Sequence, residues 1–412
     1  LITMKHKNLK NLPLKGIKVL DAASYIAAPL VSALMTDYGA EVIKIESHTG
    51  DTYRDAVKGG HVWPESEMDW AFILENRNKR SLSIDLKTEE GQIILKKLVK
   101  ESDVLITNMP GEPRKKLGLD ESKIRKMNKK IIYASLTAYG EKGPDSKRTA
   151  FDATAYYARS GLMEWSKTNN ADDHPPFPIP GGGDHPTGLS LFTSILLALI
   201  NREKTGEGTT VSTSLLANGI WSNAMLVQAI LSGHEPINTF YWDNLSALRN
   251  IYLLRDNSKF FMLLTNEEKY WNTLLNKLNI EHLNNDNNFN TEDKRQINRK
   301  LLKIELQKAF KKYTFPEIKE KLLKTGIIFT KINKIEETIH DKQAIMNDMF
   351  MPIKGEIIKN LKVVAPPINI KNVRRKKANK APKLGEHNVE ILKELGYSPK
   401  EIKKFQVNKI IL

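Results

Sequence analysis

Cysteine is absent from this sequence, which excludes disulfides and thiolate-held metals and fits a reducing compartment, the expected cytoplasm. Long apolar runs are also scarce. The longest, near residues 189–200, is too short to cross a bilayer and reads as a buried helix, so no membrane partner is expected. The opening LITMKHKNLKNL is basic and no apolar signal-peptide core follows it, with Met4 the expected natural start. Nine histidines stand apart, without ligand spacing, so no metal site is expected. No G-x-x-x-x-G-K-[ST] phosphate loop, no G-x-S-x-G elbow and no H-E-x-x-H pair occurs. The loop after the first predicted strand, AASYIAAPL, contains no glycine, so a dinucleotide fingerprint fails where it would sit. The GGG stretch near residue 182 does not rescue it, because Pro186 stands where the last glycine belongs.

Negative charge is in deficit. Lys and Arg number 64 against 48 Asp and Glu, for a net charge of +16. A polyanion-binding module is one reading; solvated lysines spread over many faces are the other. Scattered charge without interleaved aromatics favours the second, so no nucleic acid is expected. One dense run, KNVRRKKANKAPK at 371–383, reads as a solvated loop.

Across the first third of the 412 residues the hydrophobic period alternates between two and 3.6. Strands are expected at 16–22, 41–46, 104–107 and 131–136, and a helix at 29–38. A further helix runs to Ser102, capped by Thr88 and buried through Ile93, Ile94, Leu95, Leu98 and Val99. Strand and helix in turn argue for an α/β fold, a parallel sheet covered by helices. Ligands of such sheets sit in the loops after the strands, here those after Ala22, Glu46, Thr107 and Leu136. A helix from 188 to about 201, a strand at 209–215 and a helix to about 232 follow. The expected division is a large domain over 1–234, a smaller α+β domain over 235–370, and a linker with two helices over 371–412 completing the first.

The stretch PIPGGGDHPTG, residues 178–188, sets Asp184 at the mouth of a helix behind three glycines. Glycine lets the main chain approach a ligand closely. Amides of Gly182 and Gly183 are candidate oxyanion donors. Asp is equally a common helix cap, so these local features leave catalysis and capping both open.

Six ordered stretches carry a family resemblance. They are LKGIKVLDAASYIAAPLVSALMTDYGAEVIKIE, NRNKRSLSIDLKTEEGQIILKKLVKESDVLITN, IIYASLTAYGEKGP, FDATAYYARSGLM, GDHPTGLSLFTSILLALINREKTGEG and APKLGEHNVEILKELGY. Together they resemble the class III CoA-transferases of CaiB/BaiF type, over 14–235 and again over 381–397. EKGP, FDATAYYARSG and GDHPTG look most like the branch acting on 2-hydroxy acids, such as phenyllactate and 2-hydroxyisocaproate CoA-transferases. The resemblance implies a Rossmann-like large domain, an inserted small domain and an interlocked homodimer. It implies an acyl-CoA donor and a carboxylic acid acceptor, with coenzyme A entering as a thioester substrate and no tightly bound cofactor.

The family's nucleophilic aspartate falls on Asp184. Its ordinary pKa near 4 allows ionisation at neutral pH, and attack on a thioester would give an aspartyl mixed anhydride. Coenzyme A contacts carry over to Ile26 and Ala27, to Ile84, Asp85, Leu86 and Lys87, and to Asn108, Met109 and Pro110. Lys116 falls where the family often has Arg, and Thr149, Ala150, Phe151 and Asp152 complete the set. His48 stands where relatives carry Arg near the adenine, and Ala28 where many have Gly. An α-methylacyl-CoA racemase is the nearest rival reading. It needs a histidine directly before an aspartate, and the matching pair here is Phe151–Asp152.

Overall fold

The computed structural model describes residues 12–167, 174–235, 245–355, 360–373 and 375–412. Residues 1–11 of the basic opening, Met4 among them, and Arg374 of the basic run lie outside the described residues. Six parallel strands form one sheet: β1 (Lys18–Ala22), β2 (Glu41–Glu46), β3 (Arg80–Ser83), β4 (Val104–Thr107), β5 (Ile132–Thr137) and β6 (Thr210–Ser214). Their order is β3-β2-β1-β4-β5-β6, with Val19 opposite Val42 on one side and Val104 on the other. The helices joining them are α1 (Ala27–Asp37), α2 (Trp70–Asn76), α3 (Glu89–Lys100), α4 (Gly111–Lys116) and α5 (Glu121–Met127). After β5 come α6 (Leu162–Trp165), α7 (Asp184–Thr205), α8 (Leu215–Ser222) and α9 (Ala224–Leu231).

Strand alternation divides the core into two layers. Val19, Ile106, Ala134 and Leu136 join α1 and α7 residues such as Val31, Leu191 and Ile195 in one. Leu20, Leu82, Leu105 and Tyr133 join Ile94 and Leu98 of α3 and Ile391 and Phe405 near the C-terminus in the other. The α/β parallel sheet is as the sequence predicts. Three local expectations are corrected. β3 is a strand that the pattern did not signal, because RSLS is short and half polar. Ile93 is 48% exposed rather than buried, since the 3.6 period turns it off the face of Ile94 and Leu98. α7 begins at Asp184, four residues before the predicted start.

Chain order brings β1 and β4 side by side, which makes the crevice above them the point where the strand order reverses. The loops after those strands are tied together there. The Asn108 side chain accepts from the Ser24 amide at 3.0 Å and donates to the Ser24 carbonyl at 2.7 Å. Beneath that crevice lies a buried charge network. Lys44 pairs with Asp51 at 2.9 Å, and Lys79 with Asp21 at 2.7 Å, all four side chains being essentially inaccessible. Burial drags the Lys79 ammonium down to about 8, against the pull of Asp21. Asp21 itself is raised by burial, but Lys44 and Lys79 outweigh this and hold it low.

The chain divides into two compact units, one comprising residues 1–167, 172–235 and 348–412, the other 168–171 and 236–347. In the first, Asn388 accepts from the Ser83 amide at 2.8 Å and Asp85 donates to the Ile410 carbonyl at 2.9 Å. The C-terminal helices, Asn388–Glu394 and Pro399–Val407, thereby pack beside β3. The second unit holds an antiparallel sheet of Arg249–Leu253, Lys259–Leu263 and Ile328–Lys331. Its helices, among them Glu267–Leu278 and Arg299–Phe310, close over a core centred on Tyr252, Phe260 and Phe310.

Candidate active site

Gly183 caps α7, and Asp184 is the first residue of the helix. No side-chain capping bond forms at this terminus, so the Asp184 carboxylate is not the cap that local sequence allowed. It is half-buried and faces a cavity of about 590 Å³. Space for that turn depends on glycine. A Cβ on Gly183 would stand 2.6 Å from Cγ of Tyr156 and 2.9 Å from Cβ of Asp152. One turn on, a Cβ on Gly188 would meet the Ala27 carbonyl oxygen at 2.5 Å, so glycine is what lets α7 lie against α1.

The two glycine amides do not stand free. Gly182 donates to the Ile179 carbonyl at 3.0 Å, and Gly183 donates to Oδ2 of Asp152 at 3.2 Å. The expectation that they wait for an oxyanion is therefore revised: in this state they fix the turn. Asp152, buried at the head of the π-helical stretch Ala153–Ala158, holds that turn with its carboxylate.

Asp184 stands among other acids. Burial raises its pKa to about 7, with the charges of Asp152 and Glu75 adding to the rise and that of His185 opposing it. The sequence gives no hint of this, since the value of a free carboxylate near 4 would have sufficed. Glu75 comes from α2, is buried, and accepts or shares a proton with Nε2 of His185 at 3.0 Å. That hydrogen bond, against burial, raises the His185 pKa above the ordinary imidazole value. Glu75 belongs to none of the family-like stretches, and His185, though inside GDHPTG, takes no role from it, because its partner lies 110 residues away.

The Asp184 cavity collects several predicted residues. Ile26 and Ala27 come from the first loop and helix start, Asn108, Met109 and Pro110 from the loop after β4, and Thr149, Ala150 and Phe151 from the loop before the π-helical stretch. Tyr25 lines it too, packed edge-on against Phe151 at 5.2 Å between ring centroids. Tyr25 has φ of 66°, the left-handed region that a bulky residue rarely adopts. Its amide donates to Oδ1 of Asp51 at 3.2 Å, which also accepts from the Tyr53 amide at 2.9 Å. The buried charge network thus reaches up into the first loop.

A second cavity, of about 440 Å³, opens beside the first, with Ser24 and Met109 lining both. It holds the predicted His48, Ile84, Asp85, Leu86 and Lys87. Nε2 of His48 is buried there without a hydrogen-bond partner. Lys116 is exposed at the end of α4 and lines neither cavity. Arg114, two residues earlier, lines the first, its guanidinium 3.3 Å from Glu141. Among the described residues, no cluster of His, Asp or Glu is arranged to hold a metal ion, and no helix is long and apolar enough to cross a membrane.

The chain is similar to known proteins along almost its whole length. The model of CoA-transferase family III matches residues 14–388. The chain is 32% identical over 402 residues to (R)-2-hydroxy-4-methylpentanoate CoA-transferase of Clostridioides difficile, covering 97% of this chain and 99% of that protein. It is 30% identical to cinnamoyl-CoA:phenyllactate CoA-transferase of Clostridium sporogenes, covering 96% and 97%. A crystal structure of a CaiB/BaiF family protein from Brucella suis superposes with a TM-score of 0.81 at 29% identity, over 94% of this chain and 100% of that one.

Proposed function

The chain belongs to CoA-transferase family III and is a CoA-transferase, and we propose that it works through Asp184 on a hydrophobic 2-hydroxy acid. The observation that carries this reading is a carboxylate on the first turn of α7 that takes no capping bond and faces a cavity at the carboxyl ends of the strands.

An enzyme carboxylate that holds first the acyl group and then coenzyme A covalently lets a thioester pass between two acids in easier steps, without hydrolysis. A carboxylate oxygen of Asp184 attacks the donor carbonyl, the C–S bond breaks, and a mixed anhydride and CoA thiolate result. The thiolate attacks the aspartyl carbonyl, releasing the donor acid as carboxylate and leaving an aspartyl-CoA thioester. An acceptor carboxylate then attacks that thioester and expels the thiolate, which takes the acceptor acyl group and frees Asp184. No net proton or electron moves.

Coenzyme A is proposed to lie along the two adjoining cavities. The unpartnered Nε2 of His48 suits an adenine edge, and the loop of Asn108, Met109 and Pro110 suits the arm leading to Asp184. Tyr25 and Phe151 supply aromatic surface at the reacting end. That favours a branched or aromatic acyl chain, in keeping with the substrates named for the two similar clostridial enzymes. Phe151 carries no proton, which disfavours racemisation across an α-carbon.

A homodimer belongs to the same proposal. Trp221, Met225 and Leu231 on α8 and α9 are 78%, 88% and 75% exposed, an apolar face of the kind that marks a partner surface. A small domain inserted into a large one and a cytoplasmic location are further parts of the proposal, with the return to the large domain at about residue 348, where the compact units divide, rather than at the expected 371.

The test is to incubate the protein with cinnamoyl-CoA or succinyl-CoA, trap with hydroxylamine or borohydride, and map the modified residue by mass spectrometry. Modification at Asp184 is expected; modification elsewhere, or none with any donor, overturns the mechanism. The same donors paired with 2-hydroxy-4-methylpentanoate, phenyllactate and glutarate identify the acceptor class, with the hydroxy acids expected to turn over fastest.

A further inference from the structure

A CoA-transferase working through an enzyme carboxylate faces an electrostatic difficulty. Its second substrate is an anion, and it must reach a centre already crowded with acids. Around Asp184 stand Asp152 at the head of the π-helical stretch and Glu75 from α2. Even when Asp184 is esterified to CoA and has lost its charge, those two carboxylates remain. Like charges in a partly desolvated site repel more strongly than they do in water.

One basic side chain acts on Asp184 among the described residues, that of His185. It follows Asp184 directly on the first turn of α7. Its Nε2 is held by Glu75 at 3.0 Å, while Glu75 is buried and its second oxygen has no hydrogen-bond partner. A carboxylate so placed stabilises an imidazolium and fixes the plane of the ring. Nδ1, the other ring nitrogen, is then a proton donor. The side chain is 46% exposed and does not line the cavity assigned to coenzyme A.

We infer that His185, hydrogen-bonded to and oriented by Glu75, is the anchor for the carboxylate of the acceptor acid, reached from outside the coenzyme A cavity. This rests on the reading of Asp184 as the acyl carrier. The same anchor receives the donor acid when it leaves, because the two half-reactions are chemically mirror images. Glu75 is a positioning residue, since it acts through the ring and touches no reacting atom.

The groups facing the imidazole are Glu75, Asp184 and Asp152. Tyr53, whose phenol burial raises, and Lys79, brought to about 8, also lie within electrostatic reach of Glu75. During acceptor attack Asp184 is esterified and does not titrate, so its own ionisation drops out of the acceptor kcat/KM.

The experiment measures KM for acceptor and donor separately, with 2-hydroxy-4-methylpentanoate and cinnamoyl-CoA as probes, or the fastest pair of the panel above. His185→Asn is expected to raise the acceptor KM at least about tenfold while the donor KM changes less than about twofold. His185→Lys, which keeps a cation, is expected to restore most of the loss. Wild-type acceptor KM rises with pH as the imidazolium deprotonates. Glu75→Gln moves that rise to lower pH, and His185→Lys abolishes it below pH 9; a rise that persists in the lysine variant assigns the titration to Lys79 and overturns the inference. Equal changes in both KM values, or a fall in kcat alone, also overturn it. Should His185→Asn not fold, as judged by circular dichroism, the pH profiles of Glu75→Gln and the wild type decide. Trapping on Asp184 reads the underlying mechanism separately: if Asp184 is labelled and the acceptor KM does not move, the anchor fails and the carrier stands.

Discussion

Gly183 and Asp152 are bound to each other across 31 residues, the amide of one donating to Oδ2 of the other at 3.2 Å. That single bond sets both the shape of the turn before α7 and the charge beside Asp184. Asp152→Asn separates the two effects, because an amide oxygen still accepts from Gly183 while the negative charge is gone. The negative charge of Asp152 raises the Asp184 pKa, so its removal lowers it. The acid limb of the donor kcat/KM profile is expected to move down by about one pH unit. An unmoved limb shows that Asp184 does not govern it.

Asp184→Asn is expected to cost at least about a thousandfold in turnover, with the far-ultraviolet circular dichroism unchanged. An amide in place of the carboxylate neither attacks the thioester nor carries an acyl group, so trapping with labelled donor yields no adduct.

Stability offers an independent reading of the same carboxylate. The folded Asp184 has its pKa raised to about 7, above the unfolded value near 4. Between those values the native state holds a proton that the unfolded chain has lost, so stability falls as pH rises through the window. Asp184→Asn removes that loss. Its melting temperature is expected to exceed the wild type's at pH 8 and to match it near pH 4, provided both unfold reversibly. A constant gap across pH contradicts the assignment.

Gly183→Ala is expected to destabilise by about 1–3 kcal/mol and to cut turnover at least tenfold. The added methyl meets the Tyr156 ring and the Asp152 side chain, and relief requires moving one or both. Denaturant melts and steady-state rates measured on one preparation check the two effects together.

Asp51→Ala leaves the buried Lys44 without its ion-pair partner and frees the amides of Tyr25 and Tyr53. Loss of about 3–5 kcal/mol is expected. Lys44→Met combined with Asp51→Leu is expected to recover most of that stability, because neither charge is then stranded, but not the left-handed Tyr25. Activity separates from stability in that double variant if the network serves to shape the first loop.

The parallel sheet was readable because its strands alternate so plainly: Val19 against Leu20, Ile106 against Leu105, Ala134 against Tyr133 divide cleanly between two apolar layers. β3 escaped because four residues, two of them serine, carry no period, and only its place beside β2 makes them a strand. The aspartate itself was visible through a motif. Its environment was not: Glu75 and Asp152 reach Asp184 only through tertiary packing, and the neighbouring His185 finds its partner Glu75 the same way, and no local pattern encodes a raised pKa. The amides of Gly182 and Gly183 taught the reverse lesson, since glycine spacing invited an oxyanion hole while packing had already engaged both donors. On the six-residue α4 a shift from 114 to 116 carries a side chain from the cavity wall to solvent, so sequence position alone did not show which of its basic residues faces the cavity.

The reciprocal bonds between Asn108 and Ser24 make the lips on either side of the sheet's reversal a single jaw. Neither lip can swing without carrying the other. If coenzyme A lies along the two cavities as proposed, its long, jointed arm threads lengthwise between these tied lips and stays there, thioester-linked to Asp184, while one acid departs and the next arrives. On that reading, holding coenzyme A in place, rather than letting it escape and be recaptured, would be what lets two acids exchange a thioester in front of water.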